Sequence, residues 1–303
     1  MSIRVNPSLS GDLISGLNLN QQTINTTLQE MSTGKDVNSL GDNPGAAAAL
    51  VTNDAQSAEM DQFQSNISSV QGLLQTGDST MSSVVNLMNK AISLGVEGAN
   101  GTLSDSDRQS VASAMSGILQ QMVGLANTNY QGNYIFAGTE TGTQPFALDS
   151  ASPDGVTYSG NTNVNSVQLA TGESMSVNVP GSQIFQNSAG DVFGALTQMI
   201  TALQTNTGID TANTALENAF NVVNSQRTFY GNGESELNTV SSFLSQEQVE
   251  LSQQQTDLVG ADMGQVASNY SQAQVQRQAL LDASGQVLGE STLFDYLSGV
   301  TSG

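Results

Sequence analysis

Asp105 and Asp107 stand two residues apart at the start of a helix-like segment, where a carboxylate pair could do acid–base work or hold a cation. First-turn acids opposing the helix dipole explain the same pair with nothing further. Asp149, Asp154 and Asp191 fall in loop-like sequence without the Asp-x-Asp-x-Asp-Gly spacing of a calcium loop, and they read as solvated turns. The chain has no Cys and no His, which removes thiol nucleophiles, disulfides, His-based triads and His- or Cys-ligated metals together. Carboxylate, Tyr, Ser and Lys remain, in no recognisable constellation. No catalytic residue, metal or cofactor is therefore expected.

Two other positions invite a binding role. Tyr134 and Phe136 alternate with smaller residues and could form a patch, although such a pair is more often the inner face of a strand. Arg277 falls on an otherwise weakly apolar helical seam. There it could set register against an acidic or amide partner in the N-terminal helix, or its charge could snorkel into solvent.

Composition narrows the partners. Six basic residues against 27 acidic ones give a formal charge of -21, a field that repels phosphate and anionic lipid, so nucleic acid is not expected as a partner. Charged residues are only 11%, so surface ion pairs cannot be a main source of stability. Trp is absent and aromatics are 5%, which leaves Leu, Val, Ala and Met at helical spacings to supply the core. That suits an elongated helical rod. Residues 1–7 carry one Arg and no apolar run that would make a signal peptide, and no stretch nears the roughly 18 apolar residues of a membrane span, so no membrane insertion is expected.

The elements that must position these residues follow from periodicity. Leu13, Leu17, Ile24, Leu28 and Met31 form a heptad-like stripe, with Gln21 at one step, that ends at Gly34, a left-handed cap. Asn38 to Pro44 is a polar loop in which Asp42 or Asn43 caps a new helix and Pro44 fills its first turn. Ile67, Val70, Leu74, Gly77, Met81, Val84, Met88 and Ala91 keep a three-four alternation, which Gly95 to Gly101 is expected to break. Val111, Met115, Ile118, Met122 and Leu125 give a third stripe. Short β-branched or aromatic runs at Tyr134–Ala137, Val156–Tyr158, Val164–Leu169 and Met175–Val179 then predict a β-rich insertion. Helical spacing returns at Val192, Leu196, Met199, Ile200 and Leu203, and again at Leu237, Val240, Leu244, Leu251 and Leu258. Last comes a helix from Asp262 with Val266, Tyr270, Ala273, Arg277, Leu280, Ser284 and Val287 at alternating steps of four and three. The fold class is thus mainly α with a β-rich insertion: an elongated antiparallel helical bundle or coiled coil whose N- and C-terminal helices pair with each other.

Specific segments carry a resemblance. Asp107-Arg108, Leu125-Ala126-Asn127-Thr128, the run Gly132-Asn133-Tyr134-Ile135-Phe136-Ala137-Gly138-Thr139 and Pro145-Phe146 follow the order and spacing of one family. Ser32-Thr33-Gly34-Lys35 followed by Asp42-Asn43-Pro44, and Asp262 with Leu293, Tyr296 and Leu297, fit it too. On these residues the chain resembles the flagellin-like axial proteins of the bacterial flagellum. Phe136-Ala137-Gly138-Thr139 with the later Pro145-Phe146, Tyr158-Ser159-Gly160 and Pro180-Gly181-Ser182-Gln183-Ile184-Phe185 look like the hook–filament junction branch of that family rather than the Leu-rich filament version. The scarcity of Lys and Arg departs from the family pattern.

The resemblance implies an extracellular structural adaptor of the flagellum, exported unfolded through the type III apparatus without a cleaved signal peptide. It implies self-assembly into a junction ring, with the first hook-associated protein on the hook side, flagellin on the filament side, and an export chaperone on the C-terminal helix. Residues 1–43 and 261–303 would be tube-core helices disordered in the free monomer, 44–131 and 187–260 the two parts of a helical rod, and 132–186 the insertion. A filament subunit remains the close alternative. An enzyme carried on the same scaffold is a distant one, since a chain without His cannot hold a zinc-peptidase motif.

Overall fold

The computed structural model describes residues 8–39 and 41–289. Its helices are α1 (Ser8–Thr33), α2 (Pro44–Gly98), α3 (Asp105–Ala126), α4 (Gly181–Phe185), α5 (Val192–Thr205), α6 (Ile209–Val259) and α7 (Met263–Gly289). Between α3 and α5 lie the strands β1 (Asn129–Tyr130), β2 (Asn133–Tyr134), β3 (Phe146–Leu148), β4 (Val156–Tyr158), β5 (Ser166–Ala170), β6 (Glu173–Ser176), β7 (Gln186–Asn187) and β8 (Gly190–Asp191). These strands pair consecutively as antiparallel two-stranded ribbons. The chain divides into one unit of Met1–Ala58 with Gln248–Gly303 and a second of Glu59–Glu247.

The second unit holds the large core. In α2 the expected stripe of Ile67, Val70, Leu74, Met81, Val84, Met88 and Ala91 is buried. It meets Val111, Met115, Ile118 and Met122 of α3, Leu196, Met199 and Leu203 of α5, and Leu237, Val240 and Leu244 of α6 in one hydrophobic cluster. Ser104 starts α3 by accepting a hydrogen bond from the Asp107 amide at 3.2 Å, with Asp105 and Asp107 in the first turn. Both acids are thereby assigned to the helix terminus.

α2 ends at Gly98, inside the expected break from Gly95 to Gly101. A Cβ at Gly95 would lie 2.2 Å from Asn213 Oδ1, and one at Gly98 2.2 Å from Leu203 Cδ2, so these glycines serve close packing against α5 and α6. Tyr134–Ala137 is a strand only at its start. Phe136 leaves the ribbon because its carbonyl accepts from the Gly181 amide at 2.8 Å and lies 3.0 Å from the Tyr158 hydroxyl. With Phe136 completely buried and Tyr134 only partly so, the pair forms no exposed patch.

Candidate functional site

With no catalytic constellation in the sequence, the candidate site is the pairing of the chain's two ends. α1 and α7 pack against each other, and the turns that lead out of α1 and into α7 are clasped by backbone. The Asp36 amide donates to Val259 O at 2.8 Å and the Ala261 amide to Gly34 O at 3.0 Å, joining Lys35 and Gly260 in an antiparallel bridge. Gly34 adopts φ +69°, the left-handed cap conformation, and its amide closes on Glu30 O at 2.8 Å.

Side chains fix the two helix starts. The Asp42 carboxylate accepts from the amides of Asn38 at 2.9 Å and Ser39 at 2.7 Å and from the Ser39 hydroxyl at 2.9 Å, and these bonds hold its pKa below the usual carboxylate range. Asn43, not Asp42, caps α2 by accepting from the Ala46 amide at 3.1 Å, with Pro44 in the first turn. Asp262 caps α7, taking the amides of Gly264 at 2.9 Å and Gln265 at 3.2 Å. Val37, Ala47 and Val259 seal the clasp with a small apolar cluster.

The seam itself differs in phase from the expected one along α1. Ile24 is buried and Leu13 and Leu17 are half-buried, but Leu28 stays 44% and Met31 38% exposed. Their places in the seam belong to Asn20 and Thr27, which are 6% and 4% exposed and had been missed. The steps from Leu13 to Leu17, Asn20, Ile24 and Thr27 continue the four-three alternation, so the signal is present in spacing and absent from apolarity. Thr27 is tolerated because its hydroxyl donates within its own helix, 2.8 Å from Thr23 O and 3.1 Å from Ile24 O. On α7, Val266 and Ala273 are buried, and Tyr270, Leu280 and Ser284 half-buried, along the expected phase. Arg277 is exposed and, among the described residues, makes no ion pair, so its charge snorkels out. Val287 belongs to the last turns of α7, and Leu293, Tyr296 and Leu297 lie outside the described residues.

The remaining motif residues sit elsewhere, in the second unit, and hold the ribbons to its helices. Arg108 is buried, pairs with Asp105 and donates to Leu103 O at 2.8 Å. Asn127, just past α3, grips the backbone of Phe146 from both sides: its Nδ2 donates to Phe146 O at 2.8 Å and its Oδ1 accepts from the Phe146 amide at 2.9 Å. Gln131 and Gly132 both take positive φ, +51° and +86°, in the two-residue turn between β1 and β2. Gly138 packs against Asn161, whose side chain also bonds the Thr139 amide at 3.0 Å and hydroxyl at 2.7 Å. Pro145 is buried, and its carbonyl accepts from the Ser159 amide at 2.8 Å. These residues are architecture. Asn127→Ala is expected to cost the second unit about 2 kcal/mol, because the partly buried Phe146 amide loses its acceptor and the Phe146 carbonyl keeps only the Gln144 Nε2 donor at 2.9 Å; urea unfolding followed by circular dichroism checks it.

Asp191 is also corrected. It is partly buried, caps α5 by accepting from the Gly194 amide at 2.8 Å, and has its pKa pushed up to about 6, by burial first and then by the neighbouring Asp154 carboxylate. Asp149 alone of the three loop acids makes a simple turn, accepting from the Ala151 amide at 2.9 Å. Because the folded pKa of Asp191 lies above its unfolded value, the native state binds the extra proton between about pH 4 and pH 6. Its stabilising contribution is complete below the unfolded pKa and is lost as pH rises through about 6. Asp191→Asn, which keeps a capping oxygen, is expected to flatten the pH dependence of melting by about 1 kcal/mol across that window after allowing for solvent screening. Thermal melts at a series of pH values check this.

Comparison with known proteins agrees with this geometry. Residues 9–141 match the model of the bacterial flagellin N-terminal helical region and residues 213–288 that of the bacterial flagellin C-terminal helical region. Flagellar hook-associated protein 3 of Salmonella typhimurium is 32% identical over 282 residues, 84% of this chain and 86% of that protein. A flagellin of Listeria monocytogenes is 28% identical over 127 residues, 42% of this chain and 44% of its own length. Among solved structures, a putative flagellar hook-associated protein from Vibrio parahaemolyticus shares the fold with a TM-score of 0.67 at 22% identity, covering 72% of this chain and all of that one. Both flagellin regions are present, and the hook-associated relative aligns nearly end to end, so the chain belongs to the family of flagellar hook-associated protein 3, among the flagellin-like proteins of the bacterial flagellum.

Proposed function

We propose that this chain is a structural adaptor that polymerises at the hook–filament junction, joining the hook-associated layer to the flagellin filament. The observation that carries this reading is the alignment with hook-associated protein 3 through almost the whole chain, where the Listeria flagellin aligns over less than half. The terminal pair supports it. Ile14, Leu19, Leu28, Met31, Val275 and Leu281 stay exposed on α1 and α7, and neighbouring subunits are the occupants we assign to that apolar surface. In this reading copies of the chain form a ring, the first hook-associated protein lies on the hook side and flagellin on the filament side, and an export chaperone covers the C-terminal helix beforehand. The subunit is exported unfolded to the cell exterior, and the thin terminal seam opens in the free subunit and orders on assembly. The seam and motif residues then divide the labour, the first for assembly and the second for holding the subunit's shape.

Electron microscopy of a strain lacking the gene tests the adaptor reading. Cells should keep hooks, carry no filaments and shed unpolymerised flagellin, with filaments restored by the intact gene. A strain that still grows normal filaments would sink the proposal. If the purified chain alone formed long homopolymers, the filament-subunit reading would replace it.

A further inference from the structure

We infer that Asn20, facing Ala273, is the side chain that sets the register along the α1–α7 seam, which the main-chain clasp at Lys35 and Gly260 ties at one end only. Asn20 is the one amide side chain buried in this seam among the described residues, and its Nδ2 donates to Ala273 O at 2.9 Å across 253 residues of chain. Reaching a main-chain carbonyl inside a regular helix requires that the residue there be small, and Ala273 is 2% exposed directly at the contact. The rest of the seam discriminates poorly. Leu17 and Ile24 stand seven residues apart on α1, as do Val266, Ala273 and Leu280 in turn on α7, and apolar positions one heptad apart are nearly interchangeable when one helix slides past the other by a heptad. Gly16 against Leu280, with a Cβ position 3.6 Å from Leu280 Cδ2, allows close approach without demanding one partner.

A heptad slide would bring Asn20 opposite Val266 or Leu280. Either side chain would cover the backbone that the amide now reaches, burying its donor unpaired. In the native register the amide's Oδ1 already lacks a partner, so the polar group specifies rather than merely stabilises. Arg277, the other polar residue at a seam position, is exposed and without an ion pair among the described residues, and it offers no such discrimination. The inference concerns the helix pair within one chain and holds whichever flagellar layer the protein occupies.

The absence of Cys makes the full-length chain a clean background for a cross-linking test. A Gly16→Cys, Leu280→Cys chain reports the native register, and a Leu13→Cys, Gln276→Cys chain reports a one-heptad slip. Each is oxidised at high dilution, and the intramolecular product is read from the monomer band. With Asn20 present, the native pair should close at least about tenfold more than the slipped pair. Asn20→Leu should bring the two yields within about threefold of each other, and Asn20→Ala, which removes the amide without adding bulk, should do the same. A tenfold preference surviving in both variants would overturn the inference. So would the parallel loss of both cross-links in both variants, since that would make Asn20 a matter of stability alone.

Discussion

Phe146→Ala is expected to cost the Glu59–Glu247 unit about 4 kcal/mol, near the upper end for removing a buried ring. Phe146 is completely buried and is the hub of the aromatic cluster, with centroid distances of 4.9 Å to Tyr158, 5.4 Å to Phe185 and 5.3 Å to Phe193. The cost lies high in the range because the walls of the resulting cavity cannot close. Asn127 holds the Phe146 backbone on both sides, and the Gly181 amide is bonded to Phe136 O while its Cα already packs against the Phe146 ring. Collapse into the vacated space would break those bonds. Denaturant unfolding monitored by near- and far-ultraviolet circular dichroism measures the effect, with Leu148→Ala, on the same ribbon but 54% exposed, as a control expected within about 0.5 kcal/mol of the parent. A loss under about 1.5 kcal/mol for Phe146→Ala would show that the cluster repacks freely.

The second large effect is on assembly. A chain ending at Gly260 lacks α7, so Leu13, Leu17 and Ile24 lose the helix they face and the clasp loses the Ala261 amide. Incorporation at hook ends should fall below detection. The core of the second unit should unfold within about 0.5 kcal/mol of the full chain, because its buried cluster runs from Phe63 to Leu244 and includes nothing from α1 or α7. Adding purified truncated protein to hook-bearing cells that lack the gene, and scoring filaments by electron microscopy, keeps export out of the measurement. Filaments on those cells would refute the role given to the terminal pair.

How far the sequence could reach is clear at particular residues. The stripe from Ile67 to Ala91 was readable because its seam positions, Gly77 aside, carry buried apolar side chains over several heptads. Pairing of the two ends was readable because each carried a seam too narrow to stand alone. The phase of α1 was not, since two of its buried positions, Asn20 and Thr27, are polar and satisfied wholly or in part by backbone carbonyls that no periodicity reveals. Asn127 and Phe146 could be quoted as a motif, but their reciprocal bond joins residues 19 apart and depends on the ribbon folding back onto α3. Asp191 looked like any loop acid because its burial is supplied by elements distant in sequence.

The clasp between Lys35 and Gly260 uses main-chain atoms for both of its cross-connections, while Lys35, Asp36 and Gly260 themselves are exposed. Such a join is indifferent to the side chains of Lys35 and Asp36. Charge and shape on the outside of Lys35 and Asp36 can be rewritten to suit a different neighbour without loosening the connection. Proline at Asp36 or Ala261, which would delete a donating N–H, is forbidden by it, and Gly34 and Gly260 are held to glycine, the first by its φ of +69° and the second by a Cβ that would lie 2.4 Å from Thr256 O.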